Sequence, residues 1–290
     1  MSGVELIDGK KDGVLRTYYT SGELRSEKTF VRGLLQGEEN TYFRNGTYQQ
    51  TITYKDHKKN GPARIYYPTE IMKVEMNFKD DLQDGITKYF YENGEPKAEI
   101  SFKEGEKNGP AKAFYTSGEM KVEEKNVEGK IEGTKTTFYM SGAIKGIWEY
   151  KMGVLHGQSK FFYENGKLLG LKDYNNGKDH GETKIYFKNG KLKEVIKYDN
   201  GTKIGVQKIY NVDGSLKKEV VHGGEDTQVE IETTLLQFES SSISSIKKLE
   251  KEQLMSKRSN KISPSNAILF FLVIVAILFM IYIYMIDYLI

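Results

Sequence analysis

Starting at Gly13 and stepping by 24 residues, the sequence lands on glycine nine times in succession, at 13, 37, 61, 85, 109, 133, 157, 181 and 205. A fixed period of this length means a repeat architecture, in which each unit is one supersecondary element that buries its apolar surface against its neighbours. With that glycine as position 0, a second glycine recurs at +9 in every unit except the third, which has Glu70. Position +5 is Tyr or Phe throughout, and +6 is Tyr or Phe in all but the ninth unit, which has Asn211. Position +17 is aromatic in the first eight units except at Asn126.

Each unit reads as two strands and two turns. The stretch from 0 to +6, such as GETKIYF, ends in aromatics, and KNG, ENG or TSG then supplies a turn whose glycine takes positive φ. A second strand runs from +11 to +17, and NNGKDHG or DNGTKIG turns back. Gly at 29 residues and Tyr at 20, against Pro at 5, fits many turns between strands. Repetition decides the role of the glycines: they are turn and strand-crossing positions, and a phosphate-cradling loop would not recur nine times.

If the first turn occupies +7 to +10, then +6 faces +11, +5 faces +12 and +3 faces +14. The +14 glutamates Glu27, Glu75, Glu99, Glu123 and Glu219 then oppose Arg16, Arg64, Lys88, Lys112 and Lys208, all basic. The units with Asn40 and Thr136 at +3 lack the glutamate as well, carrying Thr51 and Ile147. Such cross-strand pairs stabilise by a few tenths of a kcal/mol each, so they set register more than they hold the fold. The same register lays the +17 aromatic over the glycine at 0.

Two faces are expected. A packing face carries +4, +6, +11, +15 and +17, with Trp148 among them. The other carries the charge pairs and the +5 row of Tyr18, Tyr42, Tyr66, Phe90, Phe114, Phe138, Phe162, Tyr186 and Tyr210. Directly opposite this row stand the +12 cations Arg25, Lys73, Lys97, Lys121, Lys145, Lys193 and Lys217. A cation beside a ring is a stable exposed arrangement, and these two rows form the candidate interaction face.

These units, idealised as GxxxxYYxNGKLKxExxYxxGKxxG, resemble the MORN-type repeat in its variant form, over about Gly13 to Gly224. The resemblance implies an all-β repeat array: an elongated, twisted antiparallel sheet of stacked β-hairpins. It further implies a scaffold, membrane-apposing or dimerising role, with an antitoxin-like inhibitor of a partner toxin as the alternative. Repeats followed by a linker and a membrane helix are also similar to the plan of the junctophilins, from which this chain departs in its shorter linker and uninterrupted array.

After the repeats the composition changes. Ala267 to Ile286 is an uncharged, mostly apolar run of twenty residues. At 1.5 Å rise per residue it spans about 30 Å, the hydrocarbon thickness of a bilayer. Ser263 and Pro264 fit an N-cap and first helical residue. The expected organisation is therefore a lead-in at 1–12, nine repeats at 13–228, a polar, basic and partly helical linker at 229–263, and a C-terminal transmembrane α-helix at 264–290. Lys247, Lys248, Lys251, Lys257, Arg258 and Lys261 precede the span, and Asp287 alone follows it. The positive-inside rule then keeps the repeats cytoplasmic, with a single-pass tail anchor whose C-terminus lies across the membrane. The basic cluster could also meet anionic lipid headgroups.

Little of the sequence speaks for catalysis. There is no cysteine, which removes thiolate nucleophiles and thiolate metal sites. His57, His156, His180 and His222 lack metal-ligand spacing and read as solvated, the first three in or beside the second turn of their units. The carboxylates in register face Lys or Arg, as structural pairs. No enzyme activity, cofactor or metal is expected. The net charge of +3 and the Glu row at +14 disfavour a nucleic-acid partner. The expected partners are a lipid bilayer through 267–286, an unidentified protein and, through an open sheet edge, a second copy of the chain.

Overall fold

The structure, a computed structural model, describes residues 3–222. The end of the ninth repeat, the linker, the anchor at 264–290 and the cations from Lys247 to Lys261 lie outside the described residues. Within them the chain forms one antiparallel sheet of 22 strand segments. No helix among the described residues is long and apolar enough to cross a membrane.

The hairpins form because their turns are chemically specified. At the second turn, +19 and +20 both take positive φ, as in Arg32 and Gly33 (50° and 85°) or Asn200 and Gly201 (46° and 91°). That pair of angles defines the two-residue turn whose twist matches the flanking strands. The +20 amide donates to the preceding unit, as from Gly33 to the Lys11 carbonyl at 2.7 Å, so successive turns are tied together. The lead-in belongs to this lattice. Asp8 and Gly9 repeat the same turn (49° and 71°), and Gly3–Ile7 pairs with the first repeat.

Far from the first turn, the expected register is observed. Glycine 0 opposes +17 in all nine units, from Gly13 with Phe30 to Gly205 with His222. Each of the five +3/+14 charge pairs is opposed as expected. Four of them are ion pairs: Arg16–Glu27 at 3.2 Å, Arg64–Glu75 at 3.3 Å, Lys112–Glu123 at 3.6 Å and Lys208–Glu219 at 3.5 Å.

Near the first turn the register differs. The Tyr19 amide donates to Glu23 at 2.9 Å and Gly22 donates back to Tyr19 at 3.0 Å, closing a three-residue loop at +7 to +9. Position +6 therefore opposes +10, and +5 opposes +11: Tyr18 with Leu24, Tyr42 with Tyr48, Phe114 with Met120, Tyr210 with Leu216. A bulge at +12 then restores the pairing of +4 with +13, as in Thr17 with Ser26. This corrects two expectations. Position +12 does not stand opposite +5, and +11 lies on the face of +5 rather than on the packing face.

The packing face is instead +2, +4, +13, +15 and +17. Ala63, Val74, Ala98, Val122, Trp148, Phe161, Ile185 and Ile196 lie there, all buried. Among the described residues, the main strand contacts are with neighbours in the hairpin order, within a single sheet. The burial follows from a bend repeated in each unit. Between hairpins the ladder runs from Glu27 opposite Asn40 to Thr29 opposite Gln36, so two residues of one strand face four of the other. Gly37 takes φ +74° at that offset, where side chains are disfavoured. Bulges of this kind kink a strand and increase its twist, which draws one face inward. Within that face Trp148 meets Phe161 edge to face, with centroids 5.6 Å apart. Gly146 leaves it room: a Cβ there would come within 2.5 Å of the indole.

Candidate interaction surface

The first-turn edge is built from the +6 ring, the +12 cation and the backbone of the next unit. Tyrosine hydroxyls at +6 donate to the +5 carbonyl one unit on: Tyr67 to Phe90 at 3.1 Å, Tyr91 to Phe114 at 2.8 Å, Tyr115 to Phe138 at 2.8 Å, Tyr139 to Phe162 at 2.9 Å and Tyr163 to Tyr186 at 2.8 Å. Burial raises the hydroxyl pKa of Tyr115, Tyr139 and Tyr163, keeping these donors protonated.

Over the same rings sit the +12 cations. Arg25 lies 5.8 Å from the Tyr19 centroid, Lys73 5.2 Å from Tyr67, Lys97 5.4 Å from Tyr91 and Lys121 5.3 Å from Tyr115. Lys145 lies 5.8 Å from Tyr139 and Lys193 5.9 Å from Phe187. Burial lowers the Lys145 ammonium pKa. Lys217 has Asn211 in place of a ring at +6 of its own unit. The ring partners of these +12 cations are at +6 instead of the expected +5.

Freed from the cations, the +5 row joins +11 on the outer face. Read across the strands it runs Tyr18, Leu24, Tyr42, Tyr48, Tyr66, Met72, Phe90, Pro96 and on through Phe114, Phe138, Phe162 and Tyr186 to Tyr210 and Leu216. Every residue of the eighteen is apolar or aromatic. Tyr18 and Tyr48 are each 46% exposed, and Leu216 is 52% exposed. The first three units carry a tyrosine cluster, with Tyr42 and Tyr48 centroids 5.0 Å apart and Tyr48 and Tyr66 6.1 Å apart. Tyr42 donates to Glu27 at 3.3 Å, and burial together with that carboxylate raises its pKa.

Sequence reasoning missed the +11 row and the polar groups of the inner face. Lys135 pairs with Glu124 at 3.0 Å, nearly out of solvent. Gln207 donates to buried Glu194 at 2.5 Å and stands 2.7 Å from the His222 ring. Burial raises the Glu194 pKa. His57, His156 and His180 are exposed at their turns; the His57 ring also accepts the Leu35 amide at 3.2 Å, and His180 lies 3.5 Å from Asp199. No group of side chains suited to a metal ion occurs among the described residues.

Six segments of the chain match the MORN repeat variant: residues 11–32, 35–56, 59–80, 83–104, 155–176 and 179–200. The fifth, sixth and ninth units are not among the matched segments. No curated protein matches the chain. Among solved structures, a chain in the crystal structure of TcdB2-TccC3-Cdc42 is similar over 68% of this chain at 11% identity, with a TM-score of 0.20. This chain spans 13% of the length of that one.

Proposed function

From an array of MORN-type repeats, we propose that the chain is a membrane-anchored scaffold whose repeat surface holds a protein partner or a second membrane. The observation that supports this most is the outer stripe: apolar residues across nine hairpins, beside a row of cations at the first turns. Exposed apolar surface of this continuity marks interaction sites in proteins of this size. The apolar run 267–286 and the cations from Lys247 to Lys261 would supply the anchor, with the repeats on the cytoplasmic side. In this reading the repeat surface binds and performs no reaction.

Localisation of a fluorescently tagged full chain, with and without residues 264–290, tests the anchor. The full chain is expected on a membrane and the shortened chain off it. A full chain that fractionates with soluble proteins overturns the reading.

A further inference from the structure

Every junction between units is built on the same backbone. Position +14 pairs with +3 of the next unit, and +13 with +4, from Glu27 with Asn40 at the first junction to Val195 with Lys208 at the last. The +20 amide donates to the preceding unit in the same way, at 2.7 Å from Gly33 and 2.9 Å from Gly129. The backbone therefore does not say which hairpin follows which. Misassembly between like units is a characteristic failure of repeat chains, so side chains have to tell the junctions apart.

One inner row does so. Position +15 of each unit lies beside +2 of the next, where Ile52 opposes Ala63 and Ile100 opposes Ala111. Most of the row is uncharged. Among the described residues, two junctions carry an ion pair between these positions, and their polarity is opposite. At the first junction the cation comes first: Lys28 at +15 stands 3.5 Å from Glu39 at +2. At the fifth the anion comes first: Glu124 at +15 stands 3.0 Å from Lys135 at +2, and both are nearly out of solvent. Glu39 also takes a hydrogen bond from Tyr54. Lys172, the remaining charge of the row, meets Asp179 at 3.1 Å.

Opposite polarity makes the two pairs mutually exclusive. If unit 1 docked against unit 6, Lys28 would face Lys135. If unit 5 docked against unit 2, Glu124 would face Glu39. Against the +2 residue of any remaining unit, Glu124 would be buried beside an uncharged side chain. A buried ion pair often adds no stability over an apolar pair of similar volume, whereas a buried charge without its partner is strongly unfavourable. Such pairs therefore act by penalising the wrong neighbour.

We propose that Lys28–Glu39 and Glu124–Lys135 are order keys. They direct hairpins to their own neighbours while the array folds, and they reject docking of units out of order, within one chain or between two copies.

The chain has no cysteine, so Glu27→Cys with Thr136→Cys reports contact between units 1 and 6 as a disulfide. In the ordered array these positions oppose Asn40 and Glu123 instead. The full chain carrying both cysteines, in detergent micelles, is unfolded in urea and refolded by dilution under mild oxidation. Proteolysis and mass spectrometry then measure the 27–136 disulfide. Adding Glu124→Lys with Lys135→Glu keeps an ion pair at the fifth junction but gives both junctions the same polarity. The disulfide is expected to rise at least about fivefold. Adding Lys28→Glu with Glu39→Lys as well restores the difference in polarity and should return the disulfide to its starting level. No rise on reversing the fifth junction alone overturns the proposal. So does a rise that persists when both junctions are reversed, because reversal would then be damaging the junction and not its selectivity.

Discussion

Lys73 stands over the ring of Tyr67, 5.2 Å from its centroid, while Tyr66, one residue earlier, opposes Met72 across the hairpin. One residue of offset therefore separates two chemistries. Rings at +6 are clamped by a cation and by their own hydroxyl to the next unit, and rings at +5 are released to the outer face. The consequences are measurable.

Tyr115→Phe removes the hydroxyl that donates to the Phe138 carbonyl and leaves the ring under Lys121. The expected loss is about 1 kcal/mol, the net worth of one such bond. Urea denaturation followed by circular dichroism measures it, and an unchanged midpoint would deny these bonds a role in coupling the hairpins.

Gly146→Ala places a methyl within 2.5 Å of the Trp148 ring. The indole has to leave its edge-to-face position on Phe161, and overpacking of this kind costs about 1–3 kcal/mol. Tryptophan fluorescence reports the displacement directly, since Trp148 is the chain's one tryptophan. Wild-type emission in this variant would contradict the packing described.

Glu70 takes φ +66° at +9, the position held by glycine in the other eight units. Glu70→Gly relieves a left-handed side-chain conformation that costs about 1–2 kcal/mol. The variant should therefore be more stable, by less than that figure because glycine also gains freedom in the unfolded chain. A lower thermal midpoint would be the contrary result.

Burial raises the Glu194 carboxyl pKa above its usual value. A group with a raised folded-state pKa contributes stability in full below its unfolded pKa and loses it as pH rises through the folded one. The wild-type chain should then lose stability as pH rises from the ordinary glutamate pKa through the raised one, and Glu194→Gln should flatten that slope. Thermal midpoints of both proteins across this range measure it, and identical slopes would remove Glu194 as the cause.

How much of this was legible in the sequence depends on distance from the first turn. The period alone located the hairpins, and the pairing of Arg64 with Glu75 and of Gly61 with Phe78 followed from charge and aromatic columns. Loop length near the turn was not legible at the same level, because three-residue and four-residue loops use the same glycine. The signal lay in the +11 column, apolar from Leu24 to Leu216, beside a basic +12 column. Two neighbours of opposite character kept in seven of the nine units, Gln49 and Leu169 excepted at +12, argue for a bulge between them. Asp8-Gly9 also stands one period before Arg32-Gly33, a signal that setting residues 1–12 apart as a lead-in passed over. Glu124 and Lys135 occupy +15 and +2 of successive units, the positions that Lys28 and Glu39 fill with the charges exchanged, a correspondence that column-by-column reading passed over.

The half-unit Gly3–Ile7 at one end has a further consequence. It occupies the second-strand position, as Leu216–His222 does at the other end, so the first and last described strands point the same way. Joining the tail of one copy to the head of another would set these two strands parallel and break the alternation on which every internal rung depends. Two copies that keep the same face outward can continue the antiparallel alternation at these described strands by bringing like ends together across a twofold axis perpendicular to the sheet, and a pair made in this way does not propagate through those ends.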